Sequence, residues 1–344
     1  MKLKLLLTLL LATSSIFAQE PSDENIKKFS ISGSIDAYFR TNITGPNEAF
    51  EDGDDTFFLN PGTSFADRSG FSLGMVNTII SYEGTKVGFV ADLVFGPRGE
   101  DAVFLSTGSS NIINQLYAFW HVSDNITLTF GNFNTFLGYE VISPADNFYY
   151  STSYMFSNGP FSHTGLKADF LLSEDFSFLL AIMNSTDYTE INLDGSYTFG
   201  GQIGYKEQYL NVIYGEQTGT TGSTFQVDYT GGTYLSDAFF LGINATYNDT
   251  DGSGFYGAAL YPKYTLSEKF ALGLRGEYFG FHNEDLEDNT VFAATLSANY
   301  TIDDLTIIPE LRLDNWSEEF YFDNDLQPTN SLASFLVAAV YKFN

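Results

Sequence analysis

The chain has 344 residues, no cysteine, 17% aromatic residues and a formal net charge of −28. Without cysteine it can form neither disulfides nor thiolate metal sites, and no lipid anchor can follow an export signal. The negative charge argues against a nucleic-acid partner, which needs a basic footprint, and favours cations.

The first element in chain order is an export signal over residues 1–18. Lys2 and Lys4 precede an apolar run from Leu5 to Ile16, and Ala18 is a small residue at the expected cut. That run is too short to span a bilayer as a helix. The mature chain would carry a charge of −30. Residues 19–28 read as a periplasmic N-terminal segment and 29–344 as one β domain. No linker or composition break divides it, and no other apolar run is long enough for a transmembrane helix.

Sixteen segments with a two-residue period follow. They cover 29–40, 70–82, 86–95, 113–122, 126–134, 163–172, 176–184 and 195–205. The second half gives 208–216, 223–234, 238–248, 254–265, 269–280, 290–302, 305–315 and 332–343. Short acidic turns such as Ser123-Asp124-Asn125 and Asp303-Asp304 alternate with longer polar connections. This is the pattern of an all-β, transmembrane, antiparallel up-and-down barrel of about sixteen strands. The short turns would be periplasmic and the long loops extracellular. An even strand count then puts both termini on the periplasmic side.

Several segments show one apolar face. Leu305, Ile307, Pro309, Leu311 and Leu313 share one side, as do Phe239, Leu241, Ile243, Ala245 and Tyr247. Such faces would meet lipid. Tyrosines closing strands (Tyr82, Tyr205, Tyr214, Tyr234, Tyr247, Tyr264, Tyr278, Tyr300, Tyr341) would form interfacial girdles. The opposite faces are charged: Asp36, Arg40, Asp92, Lys167, Asp169, Arg275, Glu277, Glu310, Arg312 and Asp314. A dry core cannot hold that many ions cheaply, so these residues are expected to line a water-filled pore.

The eight outer connections hold 22 of the 43 acids and only two bases, Arg68 and Arg98. The acids would solvate the loops and give the mouth a negative field. The third connection, 135–160, is different. It has only Glu140 and Asp146 as acids but carries Phe136, Tyr139, Phe148, Tyr149, Tyr150, Tyr154 and Phe156. So much apolar surface has little place at a solvated tip. The segment is expected to fold inward as a constriction, presenting Phe136, Tyr139, Glu140, Asp146, Tyr149, Tyr150 and Tyr154.

The run Gly131-Asn132-Phe133-Asn134-Thr135-Phe136-Leu137-Gly138-Tyr139-Glu140 precedes Asn147-Phe148-Tyr149-Tyr150-Ser151, Ser153-Tyr154-Met155-Phe156 and Pro160-Phe161-Ser162-His163-Thr164-Gly165. Together with Arg68, Phe71, Asn77 and Tyr82-Glu83, this stretch resembles the OmpL-like β-barrel porins common in Bacteroidetes-type bacteria. The resemblance implies an outer-membrane channel of a Gram-negative cell.

The three histidines, His121, His163 and His282, have no zinc-site spacing or nucleophile arrangement around them. The run from Asp249 to Gly254 lacks the remaining ligands of a calcium loop and reads as a tight turn. No cofactor, metal or catalytic activity is expected. The expected function is passive diffusion of small hydrophilic solutes, with a mild preference for cations. The alternatives are a substrate-selective channel for hydrophobic or aromatic compounds and a structural or adhesive barrel. Expected partners are outer-membrane lipid and lipopolysaccharide, with a homotrimer as one assembly that analogy allows.

Overall fold

The computed structural model describes residues 28–53 and 55–344. The expected export signal at 1–18, and the segment up to 27, lie outside the described residues. Sixteen strands form one closed barrel. The first eight are β1 (Lys28–Asn42), β2 (Gly70–Glu83), β3 (Val87–Phe95), β4 (Ile113–Ser123), β5 (Ile126–Asn134), β6 (Ser162–Leu171), β7 (Phe176–Met183) and β8 (Thr198–Tyr205). The others are β9 (Gln208–Glu216), β10 (Ser223–Tyr234), β11 (Phe239–Thr250), β12 (Ser253–Ser267), β13 (Phe270–Asn283), β14 (Leu286–Ile302), β15 (Leu305–Trp316) and β16 (Ser331–Phe343). Each strand pairs antiparallel with its chain neighbours. The ring closes where β1 pairs with β16, with Ile35 opposite Tyr341. Closure leaves no strand edge unpaired, as a lipid environment requires.

The two-residue period decides which face meets lipid. On β15, Leu311 and Leu313 are 49% and 47% exposed, whereas Glu310, Arg312 and Asp314 between them are 2%, 5% and 0% exposed. The other wall positions expected to be charged and inward follow the same rule. Some inward positions are apolar instead: Leu332, Leu336, Ala338 and Val340 of β16 are buried, as are Leu179, Ala181 and Met183 of β7. They are buried because a loop packs on them from inside. Tyr234 also departs from its expected place. It pairs with Phe240, ring to ring at 4.9 Å, on the inner face and not in the outer girdle.

Two expected outer loops are mostly strand. The connection at 249–252 is a two-residue turn, Asp251-Gly252, with φ values of 51° and 80°. Such a turn matches the twist of a hairpin. The acidic stretch at 281–289 likewise narrows to Glu284-Asp285, with Asn283 paired to Leu286. Hydropathy alternation fades once both faces meet water, but the backbone groups still need partners. The ladder therefore continues past the point where the pattern stops.

The longer connections carry structure of their own. Residues 43–69 contain a hairpin, Ala49–Asp52 with Asp55–Phe58. Helix α1 (Pro97–Ala102) lies between β3 and β4, and α2 (Tyr154–Asn158) between β5 and β6. The connection containing α2, residues 135–161 (L3), folds into the barrel. Four buried apolar clusters lie inside it, and each includes L3 residues. Tyr149, Tyr154 and Met155 pack with Phe255, Phe279 and Trp316; Tyr150 packs with Tyr38 and Leu336. Ile142 and Phe156 pack with Met75 and Val94, and Leu137 with Phe133 and Ile213. Burying each of these large side chains contributes roughly 1.5–3 kcal/mol.

Candidate functional site: a clamped loop inside the barrel

L3 enters the barrel as irregular backbone, so its N–H and C=O groups cannot be satisfied by a ladder. The wall supplies the partners. Glu310 accepts from the N–H groups of Tyr150 (2.7 Å) and Ser151 (3.0 Å). Glu277 accepts from those of Tyr154 (3.0 Å) and Met155 (2.9 Å), at the start of α2. Arg275 donates to the carbonyls of Ser151 (2.7 Å) and Thr152 (3.1 Å) and to the carboxylate of Glu140 (2.5 Å). Arg312 donates to the Thr152 carbonyl (2.7 Å) and pairs with Asp314 at 2.9 Å. Glu140 closes the circuit by accepting from the Ser153 N–H at 2.8 Å. Hydrogen bonds of this kind, with one partner charged, are about twice as strong as neutral ones.

Side chains of the loop reach the same wall. The Tyr150 hydroxyl donates to Asp36 at 2.5 Å, and the Tyr154 hydroxyl to Asp314 at 2.9 Å. Tyr139 stacks on Tyr261 with centroids 4.2 Å apart. Asp146 pairs with Lys342 at 2.7 Å, and the Gly138 N–H donates to Asp228 at 2.9 Å. Burial pushes the phenols of Tyr139, Tyr149, Tyr150 and Tyr154 above their usual range, so all four stay neutral, and those of Tyr150 and Tyr154 act as donors. Glycines on the wall make room for the loop. A Cβ at Gly200 would sit 2.6 Å from the Phe136 ring, and one at Gly273 would sit 2.8 Å from the Tyr149 hydroxyl.

The ten charged wall residues therefore point inward, but most do not face open water. Asp36, Arg275, Glu277, Glu310, Arg312 and Asp314 are buried and engaged with L3 or with each other. Arg40 donates to Asn42 Oδ1 (2.7 Å) and the Leu59 carbonyl (3.1 Å). Asp92 takes amide donors from Asn77, Asn114 (2.7 Å) and Gln115 (3.0 Å). Lys167 and Asp169 pair with each other at 3.3 Å and keep some exposure. The physical reason is the same throughout. A charge too costly to bury alone can be buried once a loop brings it enough partners.

Sequence reading missed Arg98 as a site residue. It is buried, donates to the Ile142 carbonyl at 3.0 Å and lies 4.2 Å from the centre of the Phe65 ring. Its rarity was the available signal, since the outer connections hold only two bases. Lys342 and Asp228 were equally unmarked as anchors.

A lipid-facing barrel of sixteen strands, with an inward loop held on a charged wall, defines an outer-membrane channel. The profile of the family described as "Putative beta-barrel porin-2, OmpL-like" matches residues 28–343, and the chain belongs to that family. It is an outer-membrane porin of a Gram-negative cell, and family and fold are those of a non-enzymatic channel. No curated protein matches the chain.

Among solved structures it resembles the outer membrane channel DcaP of Acinetobacter baumannii, with TM-score 0.60 and 13% identity over 92% of this chain and 97% of that one. It also resembles an anion-selective porin from Comamonas acidovorans, with TM-score 0.61 and 10% identity over 92% and 100%. OmpT of Vibrio cholerae gives 0.52 and 10% over 94% and 100%. A trimer form of OmpT is among the matching structures. At these identities the likeness is one of fold.

Proposed function

We propose that this porin passes small hydrophilic solutes by passive diffusion, with a mild preference for cations. L3 sets the width of the path, and the acidic outer connections set the sign of the field at its mouth. The observation that carries the cation preference is the charge of those connections: with Glu140 and Asp146 of L3 set aside as paired inside the barrel, they hold 20 acids against two bases, of which Arg98 is buried under L3 contacts. Uncompensated acids at a channel mouth raise local cation concentration within about a Debye length, roughly 8–10 Å at physiological salt. The charges buried under L3 act by placing the loop, and through it by filtering size.

The membrane partners of this reading are lipid and lipopolysaccharide along the apolar outer face, and a homotrimer is its expected assembly. Reversal potential across a planar bilayer under a KCl gradient tests selectivity. Cation selectivity that weakens at high salt is expected. Anion selectivity would overturn the preference. A folded barrel that conducts nothing would favour a structural or adhesive role.

A further inference from the structure

On the short-turn side of L3 a cavity of about 80 Å³ opens between the loop and strands β10–β12. Its walls are largely aromatic, with Tyr139 and Phe148 from the loop facing Tyr234, Phe240 and Tyr261 from the barrel. Lys263 enters this greasy space from β12. Its Nζ lies 5.2 Å from the Phe240 ring centre and 5.7 Å from that of Phe148.

The charge balance of the cavity is uneven. Asp146 is already paired with Lys342, and Glu140 with Arg275. Glu207, at the mouth, is half-buried and makes no ion pair with Lys263 within 4.0 Å. Arg40, Lys167, Arg275, Arg312 and Lys342 on the inner wall all have hydrogen-bond or ion-pair partners in the chain. Among the described residues Lys263 has two ring faces and no anion within 4.0 Å. Ring faces compensate a partly desolvated ammonium only in part.

We infer that this cavity binds an aromatic carboxylate: the Lys263 ammonium pairs with the carboxylate, and the rings of Tyr139, Phe148 and Phe240 cover the apolar body. A concave, mostly aromatic pocket with one convergent charge is the usual form of a small-molecule site. The inference goes beyond passive diffusion, because it gives the channel a point of chemical selectivity below L3. A porin that conducts but lacks this binding would leave the diffusion reading intact.

Titration calorimetry on the full folded chain in detergent tests it with 3-phenylpropionate, 3-phenylpropan-1-ol and propionate as probes. Saturable binding of 3-phenylpropionate is expected, with the alcohol and propionate each about tenfold weaker or more. Lys263→Met should weaken 3-phenylpropionate by a similar factor, while Lys263→Arg stays within about threefold. The inference is overturned if the alcohol binds as tightly as the acid, if no probe saturates, or if Lys263→Met binds unchanged. The comparison of probes needs no variant, so it decides even if a substitution prevents folding.

Discussion

L3 and the β13–β14 connection both leave the barrel wall at its long-loop end, and they end in opposite places. The β13–β14 stretch is acidic at Glu284, Asp285, Glu287 and Asp288 and continues as a paired hairpin beyond the wall. L3 is aromatic, and its backbone turns inward onto Glu277, Glu310, Arg275 and Arg312. Both solve one problem, the partners of backbone N–H and C=O groups. The acidic stretch solves it with its own ladder in water, because its side chains gain nothing from burial. L3 gains apolar burial and takes charged wall residues as the partners its irregular backbone lacks. The contrast teaches that charge on the inner face of this barrel is mainly a means of holding a loop.

The largest effect that could break this contrast is expected from Arg275→Met. It would leave Glu140 and Glu277 buried without their cation, a loss of about 3–5 kcal/mol. Urea unfolding followed through Trp316, which packs 5.4 Å from Tyr154, should report that loss, and single-channel conductance should rise as L3 loosens. Glu310→Gln keeps the shape but weakens the acceptors for Tyr150 and Ser151; about 1–3 kcal/mol is expected on the same readout. Gly242→Ala places a Cβ against the Tyr139 hydroxyl and should cost about 1–3 kcal/mol by displacing the Tyr139–Tyr261 stack. At the other pole, Glu284→Lys with Asp285→Lys should change stability by no more than about 0.5 kcal/mol. The same pair should shift reversal potential toward anions.

The smallest expected effect is a pH dependence. Asp187 accepts from the N–H groups of Phe161 (2.7 Å) and Ser162 (2.9 Å), where L3 rejoins β6. Desolvation pushes its carboxyl up to about 6 against those two donors, and desolvation likewise lifts Asp101 in α1 to about 6. For a carboxyl raised in the folded state, the folded chain holds more protons between the two pKa values. Stability from these groups therefore falls as pH rises from about 4 to 6 and is regained on acidification. Asp187→Asn should flatten its share of that slope in thermal melts taken between pH 4 and pH 7.

The barrel was largely legible in the sequence, because lipid outside and polar groups inside impose a two-residue period that Leu305–Leu313 and Glu310–Asp314 show plainly. L3's inward course was legible from composition alone, since the seven aromatics against two acids in 135–160 have no solvated use. What the chain did not disclose is pairing at a distance. Nothing near Glu310 marks it as the acceptor for Tyr150 and Ser151, about 160 residues away. The ions therefore read as solvated pore lining, when a loop that lies far off in sequence covers most of them. The strand extensions at Thr250 and Leu286 were missed for the converse reason: outside the membrane no hydropathy contrast marks a ladder.

A cross-link tests most directly that L3 lies against the wall inside the barrel. The chain has no cysteine, so Met155→Cys with Gly257→Cys adds a single pair. A Cβ at Gly257 would sit 2.7 Å from Met155 Cγ, the position that a cysteine Sγ at 155 takes. This leaves the two thiols within reach of disulfide geometry. Mild oxidation of the folded protein in outer membranes should give nearly complete disulfide. Two free, separately alkylated thiols in a folded barrel would contradict an L3 clamped to β12.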